Sequence, residues 1–248
     1  MPRRIVAGNW KMYKTAAQTR AFFDVFLPLV GALGDGAEIV IAPPFTALSA
    51  AHEALRADSR VVLGAQNVHW ELQGAYTGEI AVPMLQEFGV RYVIVGHSER
   101  RAYFNELDRT VNLKIKTLLE HGLTPIVAVG ETQNERDAGE TDTRVVSQTV
   151  EALAGLSAAE IAAVVFAYEP IWAIGTGANC DPAEANRVMG LIRAAVPGLK
   201  DVPILYGGSV KSENVARYAS QPHIDGGLVG GASLDPTGFA ALIEAAAR

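Results

Sequence analysis

Residues 163–192 read AVVFAYEPIWAIGTGANCDPAEANRVMGLI, and this stretch contains the repeating unit that decides the fold. Ala163 to Ala167 is a short apolar run rich in β-branched residues, the pattern of a strand buried on both faces of a parallel sheet. It ends in a charged turn at Glu169 and Pro170. Asp181 then suits a helix N-cap, with Pro182 at the first helical position and Glu184 in the first turn, while Ala185, Val188, Met189 and Ile192 share one helical face. Strand, turn and helix in that order predict one βα unit.

Outward from this stretch the unit recurs. Ile5 to Ala7, Ile39 to Ala42, Val61 to Ala65, Tyr92 to Val95, Ile126 to Val129, Pro203 to Tyr206, and Leu228 to Val229 with its preceding residues bring the strand-like runs to eight. Helical spacing lies between them, as in Val111, Ile115, Leu118 and Leu119, closed by Gly122 where a left-handed cap would sit. Eight such units in 248 residues predict an α/β fold, a (β/α)8 barrel of eight parallel strands surrounded by helices, as a single domain over residues 1–248. An open doubly wound sheet uses the same unit. Against it, the first strand lacks a Gly-x-Gly-x-x-Gly turn and eight strands exceed the usual number.

Composition narrows the function classes. With 49% hydrophobic and 19% charged residues the chain can bury a substantial core. Arg3 and Arg4 precede an apolar stretch far too short for a signal sequence, and no run approaches the roughly 20 residues of a membrane span, so a soluble cytoplasmic protein is expected. Cys180 is the single cysteine, which rules out an intrachain disulfide and a thiolate metal site. A net charge of -6 without a basic run argues against nucleic acid or an anionic membrane as partner. An anionic substrate would have to be held by local fields.

The strand ends carry the candidate chemistry. Glu169 sits among apolar neighbours that are expected to raise its pKa towards neutrality, which suits a general base; a carboxylate in a surface turn is the plainer reading. The sequence after it suggests a lid: Pro170 stiffens one end, Gly175 and Gly177 loosen the other, and Ile171, Trp172 and Ile174 form an apolar underside. His97 follows Gly96 at the start of a helix, where the positive helix end disfavours the imidazolium and leaves a neutral ring able to donate to an oxyanion. Lys11, after Asn9 and Trp10, offers a compact positive charge, with Glu99 as a partner for which Arg100 and Arg101 compete equally. Gly207, Gly208 and Ser209, and then Gly230 and Gly231, allow backbone amides to approach an anion, with a helix N-terminus behind them.

These strings also carry a resemblance. GNWKM at Gly8 to Met12, VGHSERR at Val95 to Arg101, YEPIWAIGTG from Tyr168, YGGSV from Tyr206 and LVGGASL from Leu228 are similar, in this order and across essentially the whole chain, to the triosephosphate isomerases. The resemblance implies a TIM barrel that interconverts dihydroxyacetone phosphate and D-glyceraldehyde 3-phosphate through an enediolate, in glycolysis and gluconeogenesis, without metal or organic cofactor. It implies Asn9, Lys11, His97 and Glu169 at the reacting centre, and Gly175, Ser209, Gly230 and Gly231 donating to phosphate, with Asn9 and Lys11 also touching substrate. Ala178, Ala128 and Ala81 depart from the family's common basic residue, cysteine and serine, which bears on lid kinetics and local packing rather than on the reacting groups.

The segment Gln66 to Ile80, with Asn67, Trp70, Leu72, Tyr76 and Thr77, is long for a βα connection and rich in large apolar side chains. It looks like the loop through which family members form homodimers, with Thr77 reaching the partner's site. A loop folded back on its own barrel is the plainer alternative. Two other functions use the same fold, a different phosphate-binding barrel enzyme and a catalytically silent binding protein. An aldolase would need a Schiff-base lysine within a strand and an epimerase metal ligands or paired acids, whereas Lys11 lies at a strand end.

Overall fold

The computed structural model describes residues 3–55, 60–175 and 178–247. Gly177, expected above to loosen the lid, lies outside the described residues. Eight parallel strands close into a barrel in sequence order: β1 (Ile5–Asn9), β2 (Glu38–Ala42), β3 (Val61–Ala65), β4 (Tyr92–Val95), β5 (Thr124–Val129), β6 (Val165–Tyr168), β7 (Ile204–Tyr206) and β8 (Gly226–Val229). Closure is explicit in the register, where Ile5 to Gly8 of β1 pair with Gly226 to Val229 of β8. The described helices are α1 (Ala16–Gly31), α2 (Leu48–Ala54), α3 (Val82–Glu87), α4 (Ser98–Phe104), α5 (Asp108–Glu120) and α6 (Gln133–Asp137) in the first half. α7 (Thr141–Ala152), α8 (Ala158–Ile161), α9 (Pro182–Ala195), α10 (Val215–Ala219) and α11 (Pro236–Ala247) follow.

The strand ends differ from the expected ones for local reasons. Ala163 and Val164 belong to the turn that leaves α8, with the Val164 N–H bonded to the Ile161 carbonyl at 3.4 Å, so β6 starts two residues later than expected, at Val165, and runs on to Tyr168. Pro203 has no N–H for the ladder and stays outside β7, although its carbonyl still accepts from Phe166 at 3.0 Å. The helix signals hold. Asp181 accepts from the Ala183 and Glu184 amides at the start of α9, and Gly122 takes a φ of +74° just after α5. Ala81, where serine is common in the family, stands at the N-cap of α3 without a side-chain bond, a gap that costs a helix about 1 kcal/mol.

Two apolar layers follow from the period of two along each strand. Ile5, Ala7, Val40, Ala42, Tyr92, Ile94, Ile126, Val165, Ala167, Leu205 and Leu228 fill the barrel interior, and their strand neighbours pack outward against the helices. The described interior is a solid core, so within the barrel a ligand finds room at the rim and not along the axis.

Candidate active site

The same alternation places the site. Each interior residue is followed two positions later by another inward one, so Ala7 leads to Asn9, Ile94 to Gly96, Ala167 to Glu169, Leu205 to Gly207 and Leu228 to Gly230, all at the carboxyl ends of their strands. Asn9, Lys11, His97, Glu169, Gly175, Ser209, Gly230 and Gly231 line one cavity of about 260 Å³. Every site residue expected from the sequence is therefore brought to this rim.

One side of this cavity is a chain of short contacts. Glu169 is almost wholly buried, with Oε2 accepting from the Ser98 amide at 2.8 Å and Oε1 lying 3.0 Å from Nε2 of His97. His97 is the N-cap of α4, and its Nδ1 accepts from the Glu99 amide at 3.2 Å. That bond puts the ring proton on Nε2, facing the carboxylate and the cavity. Lys11 pairs with Glu99 through Nζ and Oε1 at 2.6 Å, and the competition foreseen for Glu99 is settled by geometry. Arg100 instead bonds Glu106 at 2.7 Å, and Arg101 bonds Asp108 and the Gly96 carbonyl. The Lys11 backbone has a φ of +52°, a strained value for a side chain, held by the Asn9 side chain on its amide at 3.0 Å and Gln66 on its carbonyl at 2.9 Å.

The electrostatics correct two expectations, for Glu169 and for His97. Burial does push the Glu169 carboxyl upward, but the His97 ring and the Ser98 amide outweigh it and hold its pKa below the usual carboxylate value rather than towards neutrality. Sequence showed the apolar neighbours; the partners come from a segment some 70 residues away. Burial likewise works against the His97 imidazolium, and the facing Glu169 carboxylate prevails, raising its pKa above the ordinary value. The helix end still opposes the charge, so the neutral ring anticipated from the sequence depends on where Glu169 stands.

The glycine turns owe their residue type partly to protein neighbours. A Cβ at Gly207 would sit 2.9 Å from Cγ of Glu169, and one at Gly208 only 2.1 Å from the Tyr206 hydroxyl. At Gly231 a Cβ would meet no described atom within 4 Å, so no described neighbour requires glycine there. The helix N-terminus expected behind these turns is modest: a single 3-10 turn, Gly231–Ser233, follows β8, and Ser209 is separated from α10 by several residues.

The sequence profile of the triosephosphate isomerase family matches residues 4–246. The chain is 52% identical over 244 residues to the triosephosphate isomerase of Nostoc punctiforme, covering 98% of each chain. It is 53% identical over 242 residues to that of Synechococcus sp. WH7803, again with 98% of each covered. The chain belongs to the triosephosphate isomerase family.

In this triosephosphate isomerase family member several supporting residues were not picked out from the sequence. Gln66 holds the Lys11 and Ala42 carbonyls through Nε2 at 2.9 and 3.0 Å. Glu106, buried, accepts from the Gly96 amide at 2.7 Å and from Lys114 at 2.8 Å, and Lys114 also donates to Asn67 at 2.8 Å. Glu131 is fully buried beside Tyr168 and Trp172. Glu131 had the signal used elsewhere, a carboxylate after a strand and a glycine at Val129 and Gly130. Gln66 and Glu106 had none, because their partners are distant in sequence.

Proposed function

We propose that this triosephosphate isomerase family chain interconverts dihydroxyacetone phosphate and D-glyceraldehyde 3-phosphate, with residues 1–248 as one catalytic unit. The observation that carries the reading is the convergence of Lys11, His97 and Glu169 with Ser209, Gly230 and Gly231 on one cavity. Ser209, Gly175, Gly230 and Gly231 bind the phosphate through backbone amides. Glu169 leaves the Ser98 amide, turns into the cavity and takes a proton from the carbon beside the carbonyl. As the carboxylate withdraws from His97, the influence that raised the imidazole pKa goes with it. Burial and the helix end then favour the neutral ring, which donates from Nε2 to the developing oxyanion. Lys11 supplies positive charge to the same oxygen and Asn9 orients it. The proton returns to the neighbouring carbon.

Base, hydrogen-bond donor and counter-charge all come from side chains, so the proposed chemistry calls for no metal or organic cofactor. A coupled isomerase assay on the purified protein should give the same rate with and without chelator. Chelator-sensitive activity points to a different barrel enzyme, and no turnover of either triose phosphate points to a silent binding protein.

The homodimer belongs to the same proposal. Within residues 66–80 the His69 ring lies 4.1 Å from Trp70 and 4.3 Å from Tyr76, and the His69 amide bonds the Ile80 carbonyl at 2.8 Å, which stiffens a loop whose Leu72 and Tyr76 remain exposed. Met12, Tyr13, Tyr103 and Phe104 add exposed apolar surface near the rim, Met12 at 94%. A second copy of the chain, with Thr77 at the neighbouring site, would cover this patch. Among the described residues no helix is long and apolar enough to cross a membrane, and a cytoplasmic location accords with that. Shortening the loop between Trp70 and Tyr76 should give monomers by light scattering, with activity down at least ~10-fold because Gln66 at the loop base no longer holds Lys11 in place. A shortened variant that stays dimeric and fully active would exclude the loop as the assembly element.

A further inference from the structure

On the outer side of the barrel, beneath the start of the segment that follows Glu169, lies a polar cluster that the proposed reaction does not use. Glu131 is fully buried there, two residues beyond β5. Its carboxylate accepts from the Tyr168 hydroxyl at 3.1 Å to each oxygen and from Nε1 of Trp172 at 2.9 Å, and its backbone carbonyl accepts from the Ile171 amide at 3.1 Å. Arg136 of α6 closes the cluster. Its guanidinium carbon stands 4.2 Å from the centre of the Trp172 ring, and Nη1 is 3.8 Å from Oε1 of Glu131. The short helix that presents it is pinned by a reciprocal cap, with the Glu135 amide on the Thr132 hydroxyl at 3.3 Å and the Thr132 amide on the Glu135 carboxylate at 2.7 Å.

A guanidinium is suited to this place in two ways that a simple charge is not. Its flat face stacks on the indole, and its delocalised charge tolerates partial burial beside a carboxylate. Burial raises the pKa of Glu131, and the Trp172 and Tyr168 donors together with the Arg136 charge work against that rise. Trp172 is thus held on two sides, by its N–H on Glu131 and by its face under Arg136. Three residues before it stands Glu169, and three residues after it Gly175, which lines the phosphate side of the cavity.

We infer that Arg136 is a positioning residue for catalysis, fixing Trp172 so that Glu169 and Gly175 on either side of it reach the substrate together. The inference rests on the function proposed above. Its sharpest readout is the fate of the enediolate. In an enediolate phosphate that is poorly enclosed, the enediolate electron pair expels the phosphate group by breaking the bond between carbon and the ester oxygen, inorganic phosphate leaves with that bond's pair, and the resulting enol takes a proton at carbon to become methylglyoxal.

The test compares Arg136→Met, which keeps the stem without charge or flat face, and Arg136→Lys, which keeps the charge alone, with the unmodified full-length chain. Arg136→Met should lower kcat about tenfold with KM changed much less, and raise inorganic phosphate released per substrate consumed several-fold, while Arg136→Lys recovers part of both losses. Trp172 emission should shift in Arg136→Met as the guanidinium leaves the ring. Unchanged kcat and unchanged phosphate release in a folded Arg136→Met would overturn the inference while leaving the function intact. A fall in kcat that tracks lost thermal stability, without extra phosphate, would reduce Arg136 to a structural residue and also overturn it. No isomerase activity in the unmodified chain would overturn the function and the inference together.

Discussion

Glu169→Gln should fold like the parent protein and lose at least ~10²-fold in turnover, the scale at which a positioned base acts. The amide keeps an oxygen for the Ser98 N–H and a group of the same size against Gly207, so the packing of the side chain is preserved, although its NH2 now meets the Nε2 proton of His97. What disappears is the ability to take a proton. The substitution also removes the negative charge that raises the His97 pKa, so the ring should titrate lower in the variant. Binding of a phosphate-bearing substrate analogue should survive, because Ser209, Gly230 and Gly231, the residues proposed to bind the phosphate, line the cavity unchanged. Near-parent turnover in protein free of host isomerase would eliminate Glu169 as the base.

Lys11→Met should cost about 10² to 10³ in kcat/KM, comparable to removing a preorganised charge from a site where negative charge develops. The effect belongs to the chemistry and not to the fold. Lys11 is already held by its backbone, through the Asn9 side chain on its amide and Gln66 on its carbonyl, and methionine retains the stem. Glu99 loses its 2.6 Å partner, but the carboxylate is partly exposed and water can replace the ammonium at little cost to stability. A loss below about fivefold, with thermal stability unchanged, would mean that the ammonium does not face the reacting oxygen. A large loss of stability would mean that the Lys11–Glu99 pair holds the rim together instead.

The barrel was legible because its strands are buried on both faces. Val61 to Ala65 and Tyr92 to Val95 end where the apolar runs end, since nothing but burial decides them. β5 begins earlier than its apolar run, at Thr124, where the Thr124 amide bonds the Arg91 carbonyl at 2.8 Å, a cross-strand fact that no local pattern carries. The placement of Asn9, Glu169 and Gly230 was legible for a related reason: once a strand's inward face is known, the next inward residue lies on the rim. Their electrostatics were not. The lowered pKa of Glu169 depends on Ser98 and His97, and apolar sequence neighbours pointed the other way. Gly207 and Gly208 read as anion-binding glycines, yet each also makes room for a neighbouring side chain, Glu169 and Tyr206 respectively, which only the closed barrel brings within reach. Glu106 illustrates the remaining class. Its bonds to Gly96, Arg100 and Lys114 join a strand end and two helices in one buried cluster, and nothing in the surrounding sequence marks it.

In the proposed reaction one carboxylate, Glu169, moves a proton between two adjacent carbons of a triose phosphate. Isomerisation in heavy water, followed by proton NMR, tests this directly. The unmodified chain should place deuterium at C2 of newly formed D-glyceraldehyde 3-phosphate and at C1 of recovered dihydroxyacetone phosphate, with both signals lost in Glu169→Gln. Isomerisation and labelling that persist undiminished in Glu169→Gln would contradict the account.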